Sequence, residues 1–237
     1  MPDRDQPAAH PSPQPLAARE GYRLWAPTYA QETAISHLEA GLVDAMTPPP
    51  AGRRLLDAGC GIGRRLVTAG AAKAVGVDLS PEMLRAGIGI GAPQPGIRTL
   101  VGDVRALPLP DAQFDILWCR LVIGHLPACA PAYAELGRVA APGAVLIVSD
   151  FHAAAHAAGH RRSFRAGGTV HEIEHHVHDV ATQVASAAQA GLRLIDRREA
   201  RIGPESLPYY TEAGREALYR AHLGLPVVSV LAFRRES

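Results

Sequence analysis

The segment Leu55-Leu56-Asp57-Ala58-Gly59-Cys60-Gly61-Ile62-Gly63 constrains the fold of this chain more than any other. Residues 54–58 form a short apolar run with the length of a buried strand, and it enters glycines at alternate positions. Glycine lets the backbone turn tightly and lets a ligand lie against main-chain atoms. A helix over about residues 63–71 follows. Strand, glycine-rich turn and helix predict the first unit of an α/β sheet.

The alternation continues downstream. Strands are predicted over 74–78, 97–101, 114–119 and 144–149. Helices are predicted from Ser80-Pro81, where serine caps and proline takes the first helical position, and over 131–139. Strands alternating with helices imply a parallel sheet covered on both faces. Residues 167–178 read as an irregular or strand-like excursion, and 179–190 as a helix closed by Gly191. Strands over 192–198 and 227–234 flank a helix near 211–222. Upstream, residues 16–46 read as helix in two pieces broken near Pro27, and the polar, proline-rich residues 1–15 as a disordered leader. No linker divides residues 16–237, and 237 residues suit one domain.

Composition excludes several partners. The formal charge of +1 supplies no global field for nucleic acid or membrane. No apolar run reaches the roughly 18 residues of a membrane span. Cys60, Cys119 and Cys129 form no CxxC pair, which fits a reduced, cytoplasmic setting. Lys73 is the sole lysine, so arginine supplies nearly all positive charge, as a GC-rich genome would dictate.

The crevice chemistry points to a nucleotide-like cofactor. Asp78 ends the second strand 15 residues after Gly63, where a carboxylate can accept ribose hydroxyls. Gly102-Asp103-Val104 ends the third strand beside the same crevice. A dehydrogenase wants G-x-G-x-x-G, whereas the glycines here run G-x-G-x-G after Asp57. No P-loop pattern is present.

From Leu55 to Asp150 the chain resembles a class I S-adenosylmethionine-dependent methyltransferase of the small-molecule type. LLDAGCGIG resembles that family's first motif and AVGVDLS its ribose-binding acid. GDVRALPLPDAQFDILWC resembles its adenine-binding and fourth-strand segments, and RVAAPGAVLIVSD the helix, turn and strand that follow. YRLWAPTYA is similar to the N-terminal aromatic segment that lids the cofactor in many members.

The resemblance implies a Rossmann-like seven-stranded sheet of order 3-2-1-4-5-7-6, strand seven antiparallel, with S-adenosylmethionine as cofactor. It places Gly59, Cys60 and Gly61 along the methionine moiety, and Asp57 on the loop or the amino group. Asp78 would hold the ribose, Leu79 and Met83 would pack on adenine, and Asp103 and Val104 would meet its polar edge. Arg120 and Leu121 would lie under the methionine end, with Tyr29 closing over the carboxylate. Residues 16–50 would form a helical lid, and 151–180 an inserted segment on the acceptor side.

On that side His125, Asp150 and His152 are the candidate catalytic residues, each with a plain structural hydrogen bond as the alternative. Tyr22, Trp25, Arg161, Arg162 and Arg165 are candidates for substrate contact, the arginines as a carboxylate or phosphate clamp or as a solvated patch. His152, His156 and His160 are spaced four apart, so a helix would align them on one face. No motif fixes three ligands in one place, and strand four ends without an acid, so no metal is expected. The expected acceptor is a small molecule, methylated on oxygen or nitrogen. Carboxyl methylation of a malonyl thioester or another acid is one alternative, and non-catalytic binding of S-adenosylmethionine another. The D/N/S-P-P-Y/F motif of amino-methyltransferases acting on nucleic acid is missing after strand four, where Cys119-Arg120-Leu121-Val122 stands. A monomer or homodimer is expected.

Overall fold

The computed structural model describes residues 14–90 and 95–237. Its central sheet is built from β1 (Arg54–Ala58), β2 (Lys73–Asp78), β3 (Ile97–Val101), β4 (Phe114–Arg120) and β5 (Ala140–Phe151), followed by two C-terminal strands. A separate ribbon, β6 (Ser163–Ala166) paired with β7 (Thr169–Glu172), interrupts the main sheet before β8 (Leu192–Arg201) and β9 (Pro226–Arg235). The seven-stranded order is β3-β2-β1-β4-β5-β9-β8, with β9 antiparallel to both neighbours. Counting main-sheet strands alone, this is the 3-2-1-4-5-7-6 order expected from the sequence. Residues 1–13 of the expected leader lie outside the described residues.

Period-two alternation splits each inner strand between two cores. Leu56, Leu117, Leu146 and Phe233 face α5 (Ala130–Val139) and α7 (Val180–Gln189) through Tyr133, Leu136 and Ala187. Leu55, Ile116, Ile147 and Val230 face the opposite layer, where α2 (Ala34–Met46) contributes Leu38 and Val43, and α3 (Arg64–Thr68) contributes Leu66. Near-continuous apolar runs in β1 and β4 therefore reflect burial on both faces.

Local chemistry sets the helix ends. The Ser80 side chain accepts from Met83 N at the start of α4 (Pro81–Ala86), as its Ser-Pro pair predicts. Asp179 caps α7 through Thr182 N. The first helical piece, α1 (Ala18–Trp25), gives way to a single 3-10 turn over Ala26–Thr28 before α2.

Two expected helices come out differently. The stretch near 211–222 is divided into α8 (Leu207–Glu212) and α9 (Glu216–His222), because Gly214 adopts φ +64° between them. The helix that would align three histidines is only α6 (Ala153–Ala157). His152 precedes it as N-cap, and Gly159 at φ +87° turns the chain before His160. The three rings therefore point to different partners.

Candidate cofactor and acceptor sites

The β1–α3 loop is pinned from below. Gly59 N and Cys60 N both donate to Val77 O, at 2.7 and 3.0 Å, tying the loop to the end of β2. Gly59 sits at φ +87°, and a Cβ there would collide with the Val122 side chain. Gly61, at φ +57°, lies under Tyr29 and Met83, whose atoms would be 3.4 and 3.2 Å from an added Cβ. The glycines thus keep a channel open between the loop and the residues above it.

Asp78 completes this cradle. Its Oδ2 accepts from Gly61 N at 2.7 Å and its Oδ1 from Ser80 N at 2.9 Å. Burial raises its pKa, while these two backbone donors oppose the shift. The loop opens onto a cavity of about 400 Å³, within the range of small-molecule sites. Gly59, Gly61, Asp78, Leu79 and Met83 form one wall. Asp103, Val104, Arg120 and Leu121 form the other, and Tyr29 covers the channel. Asp103 is held by its neighbour Arg105, whose Nη2 lies 2.6 Å from Oδ2, and this pairing lowers the carboxyl pKa.

Asp57 and Cys60 do not line the cavity. Cys60 Sγ packs beneath the loop against Gly76, and burial pushes the thiol pKa up. Asp57 is 2% exposed, and burial moves its pKa up to about 7 against the opposing field of Arg120. Among the described residues its Oδ1 has no hydrogen-bond partner, and neither does Arg120 Nη1. The orphaned donor on the cavity wall, Arg120 Nη1, suits a ligand carrying a carboxylate.

A residue that sequence reasoning missed positions Arg120. Glu39 of α2 takes Arg120 Nε and Nη2 at 3.0 and 2.6 Å, and accepts from Ser149 Oγ at 2.6 Å. Both members of the pair are nearly sealed from solvent, at 7% and 3% side-chain exposure. The available signal was an acid between Leu38 and Ala40, on the face of α2 that faces the sheet.

A second cavity of about 440 Å³ adjoins the first. Tyr22, Tyr29 and Leu121 belong to both. Leu121 adopts φ +55°, held there by Leu121 N donating to Ser149 O and Oγ. Trp25, Arg161 and Arg162 line this second cavity, whereas Arg165 donates to Gly168 O on the exposed β6–β7 ribbon and reaches neither. Arg161 donates to the His156 and His160 carbonyls.

Arg162 is buried. Its Nη1 lies 2.7 Å from Leu121 O, 2.8 Å from His125 Nε2 and 3.0 Å from Tyr22 Oη. Nη2 lies 3.5 Å from Asp150 Oδ1, and the guanidinium covers the Phe151 ring at 4.8 Å. His125 therefore reaches the cofactor cavity as part of a network. Burial, then Arg162, lower its pKa well below the usual imidazole range. Asp150 and His152 line neither cavity. Asp150 sits behind Arg162, its pKa pushed up to about 6 by burial, and His152 Nδ1 accepts from Ala154 N while Nε2 faces Glu199 at 3.4 Å. Among the described residues no group of three His, Cys, Asp or Glu side chains is placed to hold a metal.

A seven-stranded sheet with an acid and a glycine cradle at its carboxyl edge defines an α/β protein that binds a nucleoside-containing cofactor. Comparison makes the class specific. The methyltransferase domain family model matches residues 56–148. The probable tocopherol O-methyltransferase of Oryza sativa subsp. japonica is 36% identical over 123 residues, 48% of this chain and 34% of that protein. The malonyl-(acyl-carrier protein) O-methyltransferase of Dechloromonas aromatica is 30% identical over 200 residues, 81% of this chain and 71% of that protein. An S-adenosylmethionine-dependent methyltransferase from Mesorhizobium loti shares the fold, with TM-score 0.66 at 22% identity, covering 85% of this chain and 100% of the other. The chain belongs to the S-adenosylmethionine-dependent methyltransferases. It spans about a third of the length of the first two curated relatives that it matches.

Proposed function

We propose that this chain transfers the methyl group of S-adenosylmethionine to an oxygen of a small-molecule acceptor. One observation carries the reading: the cofactor cradle and a second cavity meet at a common wall of Tyr22, Tyr29 and Leu121. When bound, S-adenosylmethionine supplies a methyl group already activated by its sulfonium. The protein's task is to hold the two partners in line and keep water out. Asp78 and the Gly59–Gly61 backbone orient the donor, and Arg120, fixed by Glu39, meets its carboxylate. The aromatic residues of α1 and the turn after it form the lid between the cavities, and residues 16–237 act as one domain.

His125 orients rather than accepts a proton in this reading. Its Nε2 faces Arg162 Nη1 at 2.8 Å, so an imidazolium there would meet a guanidinium. An acceptor that is already an anion needs no base. Oxygen is favoured over nitrogen because both quoted enzymes are named O-methyltransferases. Carboxyl methylation is the second reading, favoured by the arginines around the second cavity and by the malonyl relative. No helix among the described residues is long and apolar enough to cross a membrane.

Calorimetry with S-adenosylhomocysteine tests the cofactor. A labelled-donor assay across phenols, carboxylic acids and amines tests the reaction. Absence of binding removes the reading, and binding without turnover across the whole panel favours a carrier.

A further inference from the structure

The second cavity concentrates a scarce resource of this chain. The sequence holds two tryptophans, six tyrosines and four phenylalanines. Half of these rings, Tyr22, Trp25, Tyr29, Phe151, Tyr209 and Tyr210, line that one cavity. Trp25 ties the group together, stacked with Tyr22 at 5.8 Å and 12° and with Phe164 at 5.0 Å and 9°, and met edge-on by Tyr29 at 5.0 Å. By contrast, the two cores flanking the main sheet are mostly aliphatic, with only a few rings. A cavity wall rich in aromatic rings favours flat, unsaturated ligands, because offset-stacked or edge-to-face pairing adds about 0.5–1.5 kcal/mol per ring pair beyond area burial.

Charge on the same wall is unbalanced. Arg64, Arg161, Arg162 and Arg215 line the cavity against Glu32 and Glu212. Arg64 is committed to Glu32 at 3.2 Å and Arg162 to its buried network. Arg215 differs: it is exposed, and its guanidinium makes no hydrogen bond or ion pair with any described residue. It stands between α8 and α9, directly after Gly214 and a few residues beyond Tyr209 and Tyr210 of α8. Among the described residues Arg161 is bound to two carbonyls and loosely paired with Glu172 at 3.7 Å, a contact a ligand anion can outcompete.

We infer that the acceptor is a planar aromatic or conjugated molecule bearing an anionic group, with its ring among these six aromatic side chains and its anion at Arg215 and Arg161. A carboxylate or a phosphate satisfies the same guanidinium geometry. This rests on the methyltransferase reading for the word acceptor, while the ligand class follows from the cavity itself.

The test uses the full chain saturated with S-adenosylhomocysteine. The probes are 4-hydroxybenzoate, 4-hydroxycinnamate and 2-naphthoate, their neutral methyl esters, and phenyl phosphate. Binding is followed by calorimetry and by tryptophan emission. At least one acid is expected to quench emission and to bind at least fivefold tighter than its ester. Trp25→Phe should remove most of the quench while calorimetric binding persists. Arg215→Ala should weaken that acid roughly three- to tenfold and leave its ester unchanged. Phenyl phosphate outbinding every carboxylate would support the class and assign the anion as phosphate. Esters binding as tightly as the acids, equal losses for acid and ester in Arg215→Ala, or no probe binding to cofactor-loaded protein would each overturn the inference. Acid binding by a chain with no affinity for S-adenosylhomocysteine would instead support the ligand class and remove the methyltransferase reading.

Discussion

Arg162 Nη1 stands 2.8 Å from His125 Nε2, and His125 Nδ1 lies 3.3 Å from the Glu174 carbonyl. A carbonyl only accepts, so Nδ1 carries the proton and Nε2 accepts from the guanidinium. The pairing fixes one neutral tautomer, with the ring at the edge of the cofactor cavity. Nitrogen-resolved NMR is expected to show His125 as the Nδ1–H form, unchanged between pH 8 and 5.5. An imidazolium signal appearing near pH 6.5 would contradict the assignment.

His175 extends the same logic to stability. Burial, followed by Arg162 and neighbouring histidines, pushes its pKa down to about 3. Neither ring nitrogen has a hydrogen-bond partner among the described residues. A folded pKa below the unfolded value of about 6.5 means that the unfolded chain binds more protons as pH falls. The stability contributed by neutral His175 is therefore present above about pH 6.5 and is lost as pH drops from there toward 3. His175→Leu should narrow the gap in Tm between pH 7 and pH 5. An unchanged or wider gap would show that His175 titrates normally.

Gly59 gives a steric prediction. Its φ of +87° disfavours any L side chain, and the added methyl would meet Val122. Gly59→Ala should lower affinity for S-adenosylhomocysteine at least tenfold, with a loss in Tm of several degrees. Gly59→Ala/Val122→Ala should recover only part of this, since the backbone penalty of about 1–2 kcal/mol remains. Full recovery in the double variant would make the collision the whole effect.

The sequence carried the sheet and the cradle because both rest on local signals. Apolar runs of strand length mark β1 and β4, and Ser80-Pro81 marks the start of α4. Asp78 was legible for the same reason: it is the last residue of its strand. The acceptor side was less legible. Arg161, Arg162 and Arg165 look alike in sequence, yet only Arg162 is buried, because the turn into β6 sends it inward and its neighbours outward. The role of Glu39 depends on contacts of α2 with β4 and β5, far apart in the chain, and no spacing rule encodes them. Histidines four apart suggested one helical face, but Gly159 ends that register before His160.

Asp78 links loop shape to ligand binding. Its two oxygens hold Gly61 N and Ser80 N while facing the cavity. Asp78→Ala removes the charge that ribose hydroxyls would use and also frees the loop, so affinity for S-adenosylhomocysteine should fall roughly 30-fold or more. Asp78→Asn keeps one acceptor and should fall less. Calorimetric affinity equal to wild type in Asp78→Ala would place the cofactor elsewhere.

The Glu39–Arg120 pair offers the sharpest separation of structure from binding. Removing one member of a buried pair strands the other charge and typically costs about 3–5 kcal/mol. Glu39→Ala should therefore lower the urea midpoint strongly, although Glu39 itself lines neither cavity. The double variant Glu39→Leu/Arg120→Met replaces both charges with apolar groups of similar volume, and should regain most of the lost stability. Cofactor affinity is expected to diverge from stability in that variant. Without Arg120 Nη1, the donor orphaned inside the protein, S-adenosylhomocysteine should bind at least tenfold more weakly even as the midpoint recovers. If affinity recovered along with stability, Arg120 would be a structural strut and not a ligand contact.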